Sequence, residues 1–254
     1  MYKIIDFSKY SSIKIGPKLN VKVINEENYC GEFIIGRATN TLVGGNVALG
    51  ILDDRYKYIE IKNGILRVGA KVQNRVLYNF CRRHNIGGFE FLSKLPGSVG
   101  GSIKMNAGVK KEEISNSLLR VKTLEGWKEK DTLGFDYRTS SIEGPVFEAE
   151  FEIKRDYDEK LDIYLQKLRS NQPKEPSLGS VFKNPPGDYA GRLIEAVGLK
   201  GEKKGGVLIS PVHANFFVNT GGGTFEDMLY LVNLAKKRVF EDFGIMLEEE
   251  IIIL

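Results

Sequence analysis

A chain of 254 residues with 42% hydrophobic and 28% charged residues has the composition of an ordinary globular protein, long enough for one large domain or two to three small ones. Lysine and arginine number 37 against 33 aspartates and glutamates, so the net charge is +4. That excess suits anionic small molecules and is too small and too dispersed to indicate nucleic acid. Cys30 and Cys81 form no C-x-x-C pair, which argues against a zinc site and for a reducing compartment. No run has the length to cross a bilayer, and the charged start MYKIIDFSKYSSIKIG is not a signal peptide, so a cytoplasmic protein is expected.

Val21–Ile24 and Phe33–Ile35 are short β-prone runs, and the second feeds into Gly36–Val43, GRATNTLV. A strand entering a small-residue turn commonly presents backbone amides to phosphate. Leu49–Leu52, Tyr58–Ile61 and Ile65–Val68 read as further strands, with Asn63-Gly64 as a hairpin turn. Val72, Val76, Leu77, Phe80 and Cys81 then fall at the spacing of an amphipathic helix. The stretch Leu95–Gly108, LPGSVGGSIKMNAG, follows. Its glycines permit a nest of free backbone N–H groups for anionic oxygens, with Ser98, Ser102 and Asn106 as side-chain partners. A glycine-rich surface loop is the plain alternative.

Leu118–Leu124 and Phe147–Ile153 read as strands, with a turn at Glu125-Gly126. Leu161, Tyr164, Leu165 and Leu168 give a helical stripe between Tyr157 and Leu168, and Pro173 and Pro176 prevent its continuation. The expected division is therefore 1–168, in two subdomains of about 1–60 and 61–168, followed by 169–254. Beyond it come a helix at Ala190–Val197, a strand at Asn215–Val218 and a turn at Gly221–Gly223. A Thr224–Asp227 cap opens a helix to about Phe243, stopped by Gly244. A terminal strand over Met246–Leu254 would put Glu248, Glu250, Ile252 and Leu254 on one face. Apolar neighbours there would raise the Glu250 pKa and make it an acid or hydrogen-bond donor. No internal repeat or low-complexity segment is present.

His84 and His213 lie outside any triad or metal-ligand spacing, so no metal is expected. Arg138 in YRTSS, Ser180 in GSVFKNP and Glu250 in LEEEIIIL are the candidates for chemistry. Taken singly they read as a surface ion pair, a turn residue and part of a solvated acidic end. Their combination carries the case.

Leu95–Gly108, Tyr137–Ser140, Gly179–Pro185, Ala190–Gly201, His213–Asn219 and Phe243–Glu250 occur in the order seen in the UDP-N-acetylenolpyruvoylglucosamine reductases (MurB), which the chain resembles over nearly its whole length. Gly36–Val43 is similar to that family's GGGSNLLV loop, with Arg37, Ala38, Thr39 and Thr41 replacing more usual residues. The resemblance implies an α+β fold: a vanillyl-alcohol-oxidase (PCMH)-type FAD-binding domain in two lobes, plus a smaller C-terminal α+β substrate domain whose last strand returns to the active site. It implies noncovalent FAD held by Gly36, Arg37, Ala38, Thr39, Asn40 and Thr41 of one loop and by Pro96, Gly97, Ser98, Gly100, Gly101, Asn106, Ala107 and Gly108 of the other. NADPH would be the co-substrate, and UDP-N-acetylglucosamine enolpyruvate would be reduced to UDP-N-acetylmuramate for the cell wall.

The same resemblance implies that Arg138 and a protonated Glu250 stabilise an enolate while Ser180 delivers the proton. Tyr137, Lys183 and Asn184 would bind the substrate, the last two at its diphosphate and neighbouring oxygens. A monomer is expected, with no nucleic-acid or membrane partner. The short link from Phe151 to Ser180 resembles the branch lacking an extra tyrosine-bearing loop. Departures are Tyr10-Ser11-Ser12 where Asn-Thr is frequent, Val212 where lysine is frequent, and Ile252 where arginine is frequent. The alternatives are another FAD-dependent oxidoreductase of this fold and a non-catalytic nucleotide-sugar binding module.

Overall fold

Two separate apolar cores organise the chain, each closed by its own antiparallel sheet. The computed structural model describes residues 1–45 and 47–254. One compact unit comprises Met1–Lys3, Val21–Gly36 and Ala48–Ser170, and the other Ile4–Asn20, Arg37–Val47 and Asn171–Leu254.

In the first unit, five strands lie in the order Gly126–Glu129, Leu118–Thr123, Glu148–Glu152, Ile65–Gly69, Ile59–Lys62, each antiparallel to its neighbour. Alternation puts Leu66, Val68, Val121, Ala149 and Phe151 in the core. Glu150, also buried, is held by Arg67 at 2.8 Å and Arg120 at 2.7 Å. Asn63 (φ 51°) and Gly64 (φ 76°) join the paired residues Lys62 and Ile65, the tight turn read from the sequence. In the next hairpin Thr123 pairs with Gly126, so the turn is Leu124-Glu125, one residue earlier than expected.

Two helices of this unit correct the expected stripes. In Asn74–Arg83, Leu77, Tyr78 and Cys81 face the core, while Val76 is exposed and Val72 is buried ahead of the helix. In Glu159–Leu168, Leu165 is buried, Tyr164 faces solvent, and Asp162 points inward. The Tyr157 and Tyr78 hydroxyls donate to the Asp162 carboxylate at 2.6 and 2.8 Å, and the Gln166 amide donates at 2.9 Å. A pattern of apolar residues cannot register a carboxylate satisfied in this way. Strand Phe33–Ile34 runs parallel to Leu49–Leu52 and delivers the chain to Gly36.

The second unit has strands in the order Ser177–Ser180, Phe216–Asn219, Val207–Ile209, Lys203–Lys204. Against its core, helix Phe225–Phe243 buries Met228, Leu231, Val232, Ala235 and Val239, an apolar stripe of 3.6-residue period. The Thr224–Asp227 capping box is complete, and Gly244 closes the helix in the left-handed region.

The main break falls at Ser170/Asn171, close to the expected boundary, but Ile4–Asn20 and Arg37–Val47 belong with the C-terminal unit. Long-range hydrogen bonds account for this. The Asn219 side-chain amide donates to the Ile13 carbonyl at 3.0 Å, and the Ser12 hydroxyl donates to the Ser177 carbonyl at 2.5 Å. Thr41 and Leu42 pair in parallel with Ile252 and Ile253. The two subdomains expected within 1–168 share one core, where Ile24, Leu52 and Tyr56 cluster with Leu66 and Phe147. Among the described residues no helix is long and apolar enough to cross a membrane.

Thr224→Ala removes the side-chain acceptor for the Asp227 amide and should cost about 1 kcal/mol in urea-induced unfolding. An unchanged midpoint would mean that the cap contributes nothing to this helix.

Candidate active site

Ser98 opens helix Val99–Lys104, and its hydroxyl accepts the Gly101 amide at 3.4 Å. The Val99 amide donates to the Val72 carbonyl and the Gly100 amide to the Ala70 carbonyl, both at 2.9 Å, and the Ser102 amide donates to the Ser98 carbonyl. These four amides therefore have protein acceptors, and the nest of free N–H groups expected here is not formed by them. The Ser102 hydroxyl is likewise occupied, exchanging hydrogen bonds with the buried Asn74 side chain. Pro96 and Gly97 lead into the cap, and the Gly97 carbonyl accepts the Asn74 amide. Gly36 lies against the Ser98 hydroxyl, where a Cβ would come within 2.6 Å of Oγ. That approach brings the start of the first expected loop to the second.

Asn106, Ala107 and Gly108 form the floor beneath Arg138. Asn106 is left-handed (φ 43°), and its Nδ2 donates to Glu113 Oε2 at 2.9 Å and to the Asp136 carbonyl at 3.1 Å. Because both partners are acceptors, the amide orientation is fixed, and Oδ1 is left buried with no donor among the described residues. Arg138 occupies a tight turn in which Asp136 and Thr139 exchange backbone hydrogen bonds at 3.2 Å. Its Nη2 donates to the Gly108 carbonyl at 2.9 Å and its Nη1 to Glu113 Oε1 at 3.4 Å. The guanidinium also lies 4.9 Å from the Tyr137 ring centre. Glu113 thus bridges Asn106 and Arg138. Nothing in KKEEI distinguished it from its acidic neighbour.

In the second unit, Ser180 ends its strand opposite Phe216. Gly179, at φ 82°, breaks the register between Ser177 and Ser180, a conformation that glycine adopts without strain. The Val181 carbonyl then accepts the Glu250 amide at 2.8 Å and the Ile251 amide at 3.3 Å. The Lys183 amide donates to the Glu248 carbonyl, and Phe182 bridges to Glu249. On the other side of the tail, the Asn40 side chain donates to the Glu250 carbonyl and the Ile252 amide to the Asn40 carbonyl, both at 2.9 Å. Ala38 (φ 47°) accepts the Ser12 amide at 3.1 Å, and the Arg37 guanidinium lies 5.5 Å from the Tyr10 ring centre.

This geometry corrects the regular strand expected over Met246–Leu254. Only Ile252–Ile253 is a strand. Two successive amides on one carbonyl make a bulge at Glu250–Ile251, so Glu248, Glu250, Ile252 and Leu254 do not share a face. Leu247 and Ile251 are the buried residues, Glu250 is half-buried, and Glu248 reaches out to Lys183 at 2.5 Å. The Asn184 side-chain oxygen accepts the Ala190 amide at 3.1 Å. Val212 is exposed. Ser180, Lys183, Asn184 and Glu250 are brought together with residues 37–42 in one unit, while Arg138, Tyr137 and residues 95–108 gather in the other. Among the described residues no group of three metal-ligating side chains occurs.

An α+β protein of two compact units is the class defined by these elements. The crystal structure of UDP-N-acetylenolpyruvylglucosamine reductase (MurB) from Thermus caldophilus matches with a TM-score of 0.85 at 29% identity, covering 100% of this chain and 98% of that one. The family described as UDP-N-acetylenolpyruvoylglucosamine reductase, C-terminal domain, matches residues 172–254. The UDP-N-acetylenolpyruvoylglucosamine reductase of Campylobacter jejuni strain RM1221 is 46% identical over 257 residues, covering 99% of this chain and all of that protein. Its Helicobacter hepaticus counterpart is 43% identical over 258 residues, covering 99% and 98%. The chain belongs to the UDP-N-acetylenolpyruvoylglucosamine reductase family.

His213 supplies a pH handle. Its Nδ1 accepts the Asn215 amide at 3.2 Å, and burial lowers its pKa from the ordinary 6.5. As pH falls below 6.5 the unfolded chain therefore takes up the proton first, and folded stability declines. Above that value the residue adds no slope. His213→Asn should show a smaller drop in Tm between about pH 7.5 and about pH 5.5 than the parent. An equal drop would assign the slope to other groups.

Proposed function

We propose that this chain reduces UDP-N-acetylglucosamine enolpyruvate to UDP-N-acetylmuramate in peptidoglycan precursor synthesis, with NADPH as co-substrate and noncovalent FAD as cofactor. The reaction belongs to the cytoplasm and the working form is a monomer. Family membership along the whole chain supports the reaction. The Val181 junction, which ties the Glu250 amide to the residue after Ser180, is the observation that carries the residue roles.

The residues present fit the cofactor. Asn106 Oδ1 is a buried acceptor without a donor, an arrangement that costs about 1–3 kcal/mol if left unmet, and FAD offers N–H and O–H donors. Gly36, Arg37, Ala38, Thr39, Asn40 and Thr41 would hold it together with Pro96, Gly97, Ser98, Gly100, Gly101, Asn106, Ala107 and Gly108, in a vanillyl-alcohol-oxidase-type binding part. Bound there, FAD would supply the hydride-transfer chemistry between NADPH and the enolpyruvyl double bond.

The protein's part is charge and proton management. Hydride addition at the vinyl carbon distant from oxygen leaves negative charge on the next carbon and its carboxylate. Arg138, permanently cationic and aimed by the Gly108 carbonyl and Glu113, stabilises that charge. Protonated Glu250 donates a hydrogen bond to the same enolate. The Ser180 hydroxyl passes its proton to the carbanionic carbon and regains one from solvent, a role that requires reach more than an unusual pKa. Tyr137 and Asn184 bind substrate oxygens, and Lys183 exchanges Glu248 for the diphosphate.

Purified protein should be yellow and should consume NADPH with the enolpyruvyl substrate far faster than without it. In Ser180→Ala, NADPH should reduce the flavin at the parent rate while reoxidation by the enolpyruvyl substrate slows by about 10²–10⁴-fold. Unchanged turnover would remove Ser180 from the mechanism. Colourless protein that rejects added FAD would support a non-catalytic binding module instead.

A further inference from the structure

Asn215 is buried, and three of its four polar groups are committed to the two residues that follow Ser180. Its backbone carbonyl accepts the Val181 amide at 2.8 Å. Its Oδ1 accepts the Phe182 amide at 3.0 Å, and its Nδ2 donates to the Phe182 carbonyl at 2.8 Å. The side-chain amide therefore does for Phe182 what a neighbouring strand would do, binding both of its main-chain groups. Phe182 is itself buried, so water cannot replace either bond. The fourth group, the Asn215 amide, donates to His213 Nδ1 and holds Asn215 in turn.

The opposite side of the same short segment carries the tail, through the Val181 carbonyl and the Lys183 amide. Residues 181–183 are thus clamped between Asn215 and Glu248–Ile251. Ser180 stands at the entrance to this clamp, directly after the left-handed Gly179 and a break in strand register. The chain before it is the permissive side. The fixed side begins at Val181.

We infer that Asn215 is a positioning residue for Ser180: by locking the Val181–Phe182 main chain, it holds the serine hydroxyl in register with the Glu250 segment. The inference rests on the proton-donor role proposed above for Ser180. Such a role differs from plain structural support in what it affects. Loss of the lock should impair the proton-delivering half of the reaction and leave hydride uptake from NADPH intact, because Ser180 has no part in the latter.

Asn215→Asp is the first variant. It is isosteric and keeps the acceptor for the Phe182 amide, but it sets a carboxylate oxygen against the Phe182 carbonyl. Asn215→Ser is the second, with one shorter hydroxyl in place of the two separate ends of the amide. Holoenzyme of each is examined by rapid mixing, with flavin reduction by NADPH and reoxidation by the enolpyruvyl substrate measured separately. Flavin reduction should stay within about 2-fold of the parent, while reoxidation falls by ~10–100-fold, the scale of a misplaced catalytic group. The solvent deuterium isotope effect on reoxidation should rise as proton delivery becomes limiting. Amide exchange of the FAD-free protein should quicken at 181–183 in Asn215→Ser, with protection retained at 207–209 and 216–219.

Equal slowing of both half-reactions, or exchange that rises across the whole sheet, would overturn the inference in favour of general structural support. Parent-like reoxidation in either variant would overturn it as well. If Asn215→Asp does not fold, Asn215→Ser decides by the same criteria, and failure of both to fold would count as general structural support. Ser180→Ala separates the two levels of the argument. Slow reoxidation there with parent-like Asn215 variants defeats only the positioning role, whereas parent-like reoxidation in Ser180→Ala defeats the proposed chemistry itself.

Discussion

The tail from Glu248 to Leu254 is the constraint on which the second unit depends. It is too irregular to be a strand over most of its length, yet its main chain is bound on both sides. The Val181 carbonyl and Lys183 amide take one side, and Asn40, Leu42 and Gly44 take the other. The Asn40 bond joins residues 210 positions apart, so its cost in loop-closure entropy is offset only because the core closes around it. Ile13, Leu42, Val181, Leu247 and Ile251 belong to that core. The last residues therefore complete the packing and orient a carboxylate with the same backbone.

The first unit solves a different problem, the burial of charge. Glu90 is fully buried and receives four hydrogen bonds: from Gly88 and Asp158 amides at 2.8 and 2.9 Å, and from Arg155 at 3.1 and 3.3 Å. Glu150 is shared by Arg67 and Arg120, which both lie over Trp127. Asp162 is pushed up by burial, but the Tyr157 hydroxyl, Gln166 and Tyr78 together hold its pKa below the ordinary value. Removing one partner from such a group leaves an uncompensated charge, a larger loss than the net worth of the pair. Arg138 and Glu113 repeat the arrangement on a smaller scale, paired at 3.4 Å.

Much of this architecture was legible in the residues because local rules governed it. Asn63-Gly64, the Thr224–Asp227 cap, Gly244 and the stripe from Met228 to Val239 each depend on neighbours a few positions away. The exposure of Val76 and Tyr164 escapes periodicity, which counts apolar residues and cannot see that Asn74 and Asp162 on the same two helices are satisfied inward. The nest at 99–102 failed for a similar reason: glycine content signals permissive backbone, but Val72 and Ala70, which accept the Val99 and Gly100 amides, lie about thirty positions upstream. Glu113 and Asn215 carried no motif at all. Each gains its place only from tertiary partners. The tail could be assigned to the site by resemblance, whereas its bulge depends on the single Val181 carbonyl.

Left-handed backbone outside glycine recurs along the chain, at Lys14, Asn63, Asn85 and Lys110 as well as among the candidate site residues. Ala38, Asn106 and Arg138 adopt left-handed backbone conformations without being glycine, at φ 47°, 43° and 57°. Each such residue costs of order 1–3 kcal/mol and persists only where surrounding contacts over-determine it. Those contacts are visible: Ser12 on the Ala38 carbonyl, Glu113 and Asp136 on the Asn106 amide, and the reciprocal Asp136–Thr139 bonds around Arg138. Asn106 adds a buried acceptor that no donor among the described residues satisfies. A fold under selection for stability alone would relax this backbone cost by placing glycine at 38 and 106. At Asn106, beside the Arg138 guanidinium, retention makes chemical sense if the missing hydrogen-bond donor arrives with a bound group, so that part of the binding energy is spent satisfying an acceptor the chain already carries.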